Sequence, residues 1–277
     1  MGALHRGHVS LIEAARRDGT YTVLSIFVNP TQFGPQEDFN KYPRDEAGDL
    51  NICAEAGVDL VFAPPVEVMY HPDAVTTVRV AKLTDTLCGA FRPGHFEGVA
   101  TVCCKLFNIV QPDVAYFGQK DAQQLAVIRR MVRDLDLPLE IVACPTVREP
   151  DGLALSSRNR YLSPADRRQA TCLYRALCQA AERIKAGERD PAAVAGLMRE
   201  VIRRAGPERI DYASVVDPAS MQPVERIGGP VLLALAVHVG PARLIDNLLV
   251  DPGATGPAAA PEQWLSDAAT GRRDAAR

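Results

Sequence analysis

A doubly wound, Rossmann-like α/β domain followed by a smaller α+β domain is the fold this chain predicts, on three observations. Short apolar, β-branched runs alternate with helical stretches as far as about residue 146. Ser163-Pro164 and Asp190-Pro191 then open two successive helices. Three strand-like runs follow with short connections between them. Alternating strands and helices imply a parallel sheet with right-handed crossovers, whereas strands in direct succession imply an antiparallel one.

The elements follow in order. Val9 to Arg17 reads as a helix, and Thr22 to Val28 (TVLSIFV) as a strand covered on both faces. Asp45 to Ala56 reads as a helix, and Asp59 to Phe62 as a strand stopped by Pro64-Pro65. Val99 to Val110 is an apolar helix ended by Pro112, and Val114 to Phe117 a short buried strand. Asp121 to Asp134 is amphipathic, and Leu139 to Ala143 is a further strand. Beyond residue 147, cap residues followed by proline start one helix running to about Lys185 and another to about Arg204. Ile210 to Val216, Val231 to Val239 and Arg243 to Leu249 complete the smaller domain. We therefore expect domains at 1–146 and 147–250, with 251–277 a disordered tail rich in Pro, Ala and Gly.

Composition narrows the function. With 31 basic and 34 acidic residues the net charge is −3, too balanced a field to advertise nucleic acid or an anionic membrane. No apolar run approaches the ~20 residues a membrane helix needs, and no stretch reads as a signal peptide. The seven cysteines form no C-x-x-C pair, which favours buried thiols in a reducing cytoplasm.

Four segments carry polar chemistry. Met1-Gly2-Ala3-Leu4-His5-Arg6-Gly7-His8 leads straight into a helix, aiming two imidazoles and free backbone N–H groups at one point, as a polyphosphate requires. Alone, the H-x-x-H spacing is equally a metal pair or two surface imidazoles. Phe117-Gly118-Gln119-Lys120-Asp121 lies where a strand ends and a helix begins, the edge at which parallel sheets bind ligands. The competing reading is a strand-to-helix turn with a solvated lysine. Leu155-Ser156-Ser157-Arg158-Asn159-Arg160, after the Asp151-Gly152 turn, offers hydroxyls and guanidiniums suited to phosphate, or else a polar linker. Asn29-Pro30-Thr31-Gln32 supplies neutral amides that read hydroxyls or a carboxylate, unless it is simply an Asn-Pro turn. Arg92, His95 and Gln123-Gln124 are further polar clusters. A single sheet would bring these segments to one edge.

Together MGALHRGH, FVNPTQF, YPR, RPGHFEGVATV, FGQKDAQQL and PTVREPDGLALSSRNRYL, in this order from Met1 to about Leu249, resemble the pantoate–β-alanine ligase (pantothenate synthetase) family. That family belongs with the H-x-G-H nucleotidyltransferases. The resemblance implies ATP, (R)-pantoate and β-alanine as substrates, a pantoyl-adenylate intermediate, Mg²⁺ and a cytoplasmic homodimer. It implies Met1, Gly2, Ala3, Leu4, His5, Arg6, Gly7 and His8 as the ATP loop, with His8 a proton donor and His5 a phosphate contact. By the same resemblance Gly118, Gln119, Lys120 and Asp121 form the second nucleotide stretch, and Val147, Leu155, Ser156, Ser157 and Arg158 the third. His5, His8, Lys120 and Arg158 would carry the catalysis. Gln32 and Gln124 would contact pantoate, with Asn29, Tyr42, Arg92 and His95 lining the site. Asp49 would be the metal ligand, although Gly48 stands where a second carboxylate is frequent. Gln119 and Leu155 replace the frequent Glu and Met. Members of the family carry a further strand ahead of the ATP loop, so a misplaced start codon is expected here. The alternatives are a related H-x-G-H nucleotidyltransferase, or a shortened, inactive relative that binds pantoate or ATP.

Overall fold

Two imidazoles start the first helix. In this computed structural model, which describes residues 2–19, 21–35 and 37–253, helix α1 (Arg6–Asp18) is capped by His5. The His5 ring accepts from the Gly7 N–H while the His8 ring accepts from the His5 N–H, a reciprocal capping box. Strand β1 (Val23–Ser25) follows, shorter than the apolar run that predicts it. Helix α2 (Glu46–Glu55) is capped by the Asp45 carboxylate on the Gly48 N–H. A Cβ at Gly48 would press on that carboxylate, so a larger residue there requires the Asp45 side chain to move. Strand β2 (Leu60–Phe62) pairs parallel with β1.

Two short helices that the sequence pattern does not announce, α3 (Val66–Met69) and α4 (Leu87–Phe91), lead to α5 (His95–Val110). Helix α5 starts four residues ahead of its apolar run because Gly94, at φ 79°, turns the chain into it. Strand β3 (Val114–Gly118), helix α6 (Ala122–Asp134) and strand β4 (Glu140–Cys144) form a second parallel unit. The expected single sheet is thus two parallel pairs. Among the described strands no ladder joins one pair to the other.

Beyond them the predicted helix from Ser163 breaks at Thr171 into α7 (Pro164–Ala170) and α8 (Cys172–Lys185). Helix α9 (Pro191–Ala205) precedes β5 (Arg209–Val216), β6 (Val231–Val239) and β7 (Ala242–Val250), an antiparallel sheet in the order β5-β6-β7. One face of that sheet packs on α8 and α9 through Leu177, Ile184, Met198, Leu233 and Leu235. The other meets the amino-terminal region through Leu87, Ala122, Leu232, Ala234 and Leu249. Burial on both faces explains why β6 is apolar at every position but His238. The expected tail lies, from residue 254 onward, outside the described residues, as does Met1.

Candidate active site

The loop ahead of α1 is held from below by a buried acid. Asp49 accepts from the Ala3 N–H at 2.8 Å and the Leu4 N–H at 2.6 Å, and Ala3 takes a left-handed φ of 53° between them. The carboxylate expected on a metal therefore has both oxygens engaged in shaping the loop. Among the described residues no group of three His, Cys, Asp or Glu side chains converges on a metal-sized space. The protein atoms do not by themselves fit a resident Mg²⁺.

Above that loop the His5 and His8 rings lie 4.0 Å apart between centroids. Each uses Nδ1 as an acceptor for a backbone N–H, so in the neutral ring the proton sits on Nε2. Burial lowers the His8 pKa to about 3, with His5 and Lys120 pushing the same way. Burial, with Lys120 and then Arg160, lowers His5 as well. At neutral pH the pair consists of two uncharged hydrogen-bond donors. Gly7 makes the arrangement possible, since a Cβ there would come within 2.9 Å of the His5 ring and 3.6 Å of Leu155. Arg6 turns away into an exposed pair with Glu13.

Gly118 ends β3 and Gln119–Asp121 makes one 3-10 turn into α6. The Asn247 amide, reaching over from β7, donates to the carbonyls of both Gln119 (3.0 Å) and Lys120 (2.9 Å). Lys120 Nζ stands 3.7 Å from Asp121, a loose pair that leaves the ammonium able to engage an anion.

The third segment is an ordered hairpin rather than an open linker. Leu155 donates to the Val147 carbonyl, Glu149 to Leu153, and Arg148 bridges to Ala154. Ser156 then caps the short helix Ser157–Tyr161 by accepting from the Arg158 N–H. Ser157 is buried against the Tyr42 hydroxyl at 3.1 Å. The Arg158 guanidinium forks onto Asp38 at 2.9 and 3.0 Å. Burial works against both charges, yet that fork holds Asp38 below, and Arg158 above, the usual values.

On the far side, the Arg92 guanidinium clamps Glu37 and donates to His95 Nε2 at 2.9 Å. Because Nε2 accepts, His95 carries its proton on Nδ1 and donates to the Gln32 carbonyl at 2.8 Å. Burial, and then Arg92, lowers its pKa to about 4. Asn29 is buried and spent within the protein, bonded to Gly98, Thr31 and Tyr70, with its amide also 3.3 Å from Gln32 Oε1. It shapes the Gln32 turn. Gln123 likewise straps Leu83, Thr86 and Cys88 together. Gln124, Lys120, Asp121, Arg92 and His95 line an open cleft of about 450 Å³, solvent included, between these elements and the antiparallel sheet.

The segments converge. Lys120 bears electrostatically on both His5 and His8, Arg160 on His5, and Asp121 on His8, His95 and Arg158. Sequence reasoning did not single out Asp38, Glu37, Arg148 or Asn247. One signal was available: Asp246-Asn247 is a polar pair inside the otherwise apolar strand LIDNLLV. No helix among the described residues is long and apolar enough to cross a membrane.

Residues 1–249 match the family model described as pantoate-beta-alanine ligase. The pantothenate synthetase of Moorella thermoacetica is 59% identical over 251 residues, covering 91% of this chain and 89% of that protein. The enzyme of Chloroflexus aurantiacus is 57% identical over 252 residues, covering 91% and 90%. The crystal structure of pantothenate synthetase from Thermus thermophilus superposes with a TM-score of 0.87 at 51% identity, covering 90% of each chain. A Francisella tularensis pantoate-beta-alanine ligase, solved in complex with "Beta-gamma ATP" and β-alanine, superposes at 0.75 with 35% identity, covering 90% of this chain and 87% of that one.

Proposed function

The chain belongs to the pantoate–β-alanine ligase family, and from that premise we propose how its residues divide the chemistry. It is an ATP-dependent ligase that joins pantoate to β-alanine. In the first step a pantoate carboxylate oxygen attacks the α-phosphorus of ATP. The bond from that phosphorus to the bridging oxygen breaks and pyrophosphate leaves. In the second, the uncharged amine of β-alanine attacks the acyl carbon of pantoyl adenylate, the acyl–oxygen bond breaks and AMP leaves.

The observation that supports this assignment best is the His5–His8 pair beside Lys120. Two neutral imidazoles with hydrogens on Nε2 give directed hydrogen bonds without repelling the neighbouring ammonium. Lys120 supplies the positive charge that offsets the negative charge accumulating on phosphate in the transition state. A ring that stays uncharged at neutral pH makes His8 a hydrogen-bond donor to a phosphate oxygen rather than a source of a full proton. Arg158 serves the phosphates on exchanging Asp38 for them, and Leu155 to Ser157 with Val147 wall the nucleotide. Gln32 and Gln124 orient pantoate within the cleft, where placing the carboxylate on line with phosphorus provides much of the acceleration.

Mg²⁺ enters as a companion of the nucleotide's own phosphates, since such ions bind through substrate oxygens with few protein ligands. The reading also includes a cytoplasmic homodimer, whose oligomeric state light scattering checks. Measuring AMP release tests the function: it should require pantoate and β-alanine together. Pyrophosphate release that is never followed by AMP, whatever β-alanine is supplied, would favour a nucleotidyltransferase instead.

A further inference from the structure

Strand β7 places two adjacent polar residues on opposite faces of a sheet buried on both sides. Leu244 and Leu248 face the α8–α9 core, and Ile245 and Leu249 face the amino-terminal region. By strand alternation, Asp246 goes with the first set and Asn247 with the second. Each reaches a different nucleotide segment. Asp246 holds both terminal nitrogens of Arg148, at 2.7 and 2.9 Å. Arg148 in turn donates to the Gly152 carbonyl and stacks 3.9 Å over Tyr174, fixing the hairpin that ends at Leu155. Asn247 spends both amide hydrogens on the successive carbonyls of Gln119 and Lys120. Its own Oδ1, buried, has no partner among the described residues, where the two donors are the whole of its side-chain engagement.

An amide with two forked hydrogens is the neutral group able to hold two consecutive carbonyls at once. Backbone pairing of Asn247 with Ala234 on β6 and of Asp246 with Leu235 fixes the origin of both grips. We propose that Asp246 and Asn247 are positioning residues for adenylate formation: they register Lys120 against the Val147–Leu155 hairpin, so that one buried strand sets the geometry between two loops distant from it in sequence. This rests on the reading that Lys120 meets the phosphates.

A double-mutant cycle in the full chain tests it, read as pantoate-dependent ATP–pyrophosphate exchange. Displacing a reacting group by about an ångström costs up to ~100-fold, so Asn247→Ala should lower kcat/KM for ATP about 10- to 100-fold. The same change made on a Lys120→Ala background should cost under about threefold, because the group it positions is gone. Circular dichroism and melting confirm the fold of each variant. If the alanine variant does not fold, the cycle is run with Asn247→Ser. An equal loss on both backgrounds marks a structural residue and overturns the proposal, as does an unchanged Asn247→Ala enzyme while Lys120→Ala is crippled. Parent-like exchange by Lys120→Ala would instead bring down the reading of Lys120 itself.

Discussion

The two halves of this protein are built to different standards of rigidity. In the amino-terminal region the parallel strands are three to five residues long, and every residue of β1 and β3 is only partly buried. In the carboxy-terminal region β6 and β7 run nine residues each, and eight of nine residues in β6 are buried. Three of the four proposed catalytic side chains, His5, His8 and Lys120, come from the looser half, and Arg158 comes from the short helix Ser157–Tyr161 ahead of α7. Their support includes the stiffer half, through the bonds of Asn247 and Asp246. The contrast teaches that a site with segments that meet and release a nucleotide can sit on short strands, provided a long, doubly covered sheet fixes their origin.

That comparison can be broken at several points. The largest effect is expected in the sheet. Leu233 is fully buried, so Leu233→Ala should cost about 2–5 kcal/mol of stability, while the folded fraction keeps its kcat/KM. Leu24→Ala in the half-buried β1 should cost only about 1–2 kcal/mol. Urea titrations compare the two, and equal losses would erase the distinction between the halves. Next, Lys120→Ala should cut pantoate-dependent pyrophosphate release about 100-fold with an unchanged melting temperature, because its pairing with Asp121 is loose. Asp49→Asn should follow, at about 1–3 kcal/mol, since one of two buried N–H groups loses its acceptor. The KM for ATP should rise with it.

Acidification should act on the looser half. The folded pKa values of His8 (about 3) and His95 (about 4) lie below the ordinary 6.5, so the unfolded chain takes up protons first. Their contribution to stability is complete above pH 6.5 and drains away as pH falls from there through 4 towards 3. Urea midpoints at about pH 7.5 and about pH 5 should therefore differ, and His95→Gln should narrow the gap. The smallest effect belongs to Arg6→Ala. It loses an exposed ion pair worth about 0–1 kcal/mol and should leave the ATP kinetics untouched, in contrast to its neighbours in the loop.

Much of this could be read from the chain beforehand, for identifiable reasons. The elements were legible where local chemistry decides them: Ser163 and Asp190 caps, the amphipathic α6, the apolar β6. Helix α5 was placed too late because His95 to Gly98 are not uniformly apolar, although Gly94 starts the helix there. The loop ahead of α1, the Gly118 turn and the Ser156–Arg158 segment stand out in the sequence as polar segments because each packs its polar groups into a few consecutive residues. Asp38 and Asn247 were not, because their partners Arg158 and Lys120 lie 120 and 127 positions away. Asp49 stood out only through the family resemblance, as a metal ligand, whereas the fold shows its oxygens holding the Ala3 and Leu4 N–H groups.

Imidazoles, an ammonium and a guanidinium from distant segments should meet one triphosphate. A crystal structure of this chain with a non-hydrolysable ATP analogue tests it most directly. His5 and His8 Nε2, Lys120 Nζ and the Arg158 guanidinium should lie within hydrogen-bond distance of phosphate oxygens. A triphosphate bound away from α1, or touching only one of those segments, would contradict it.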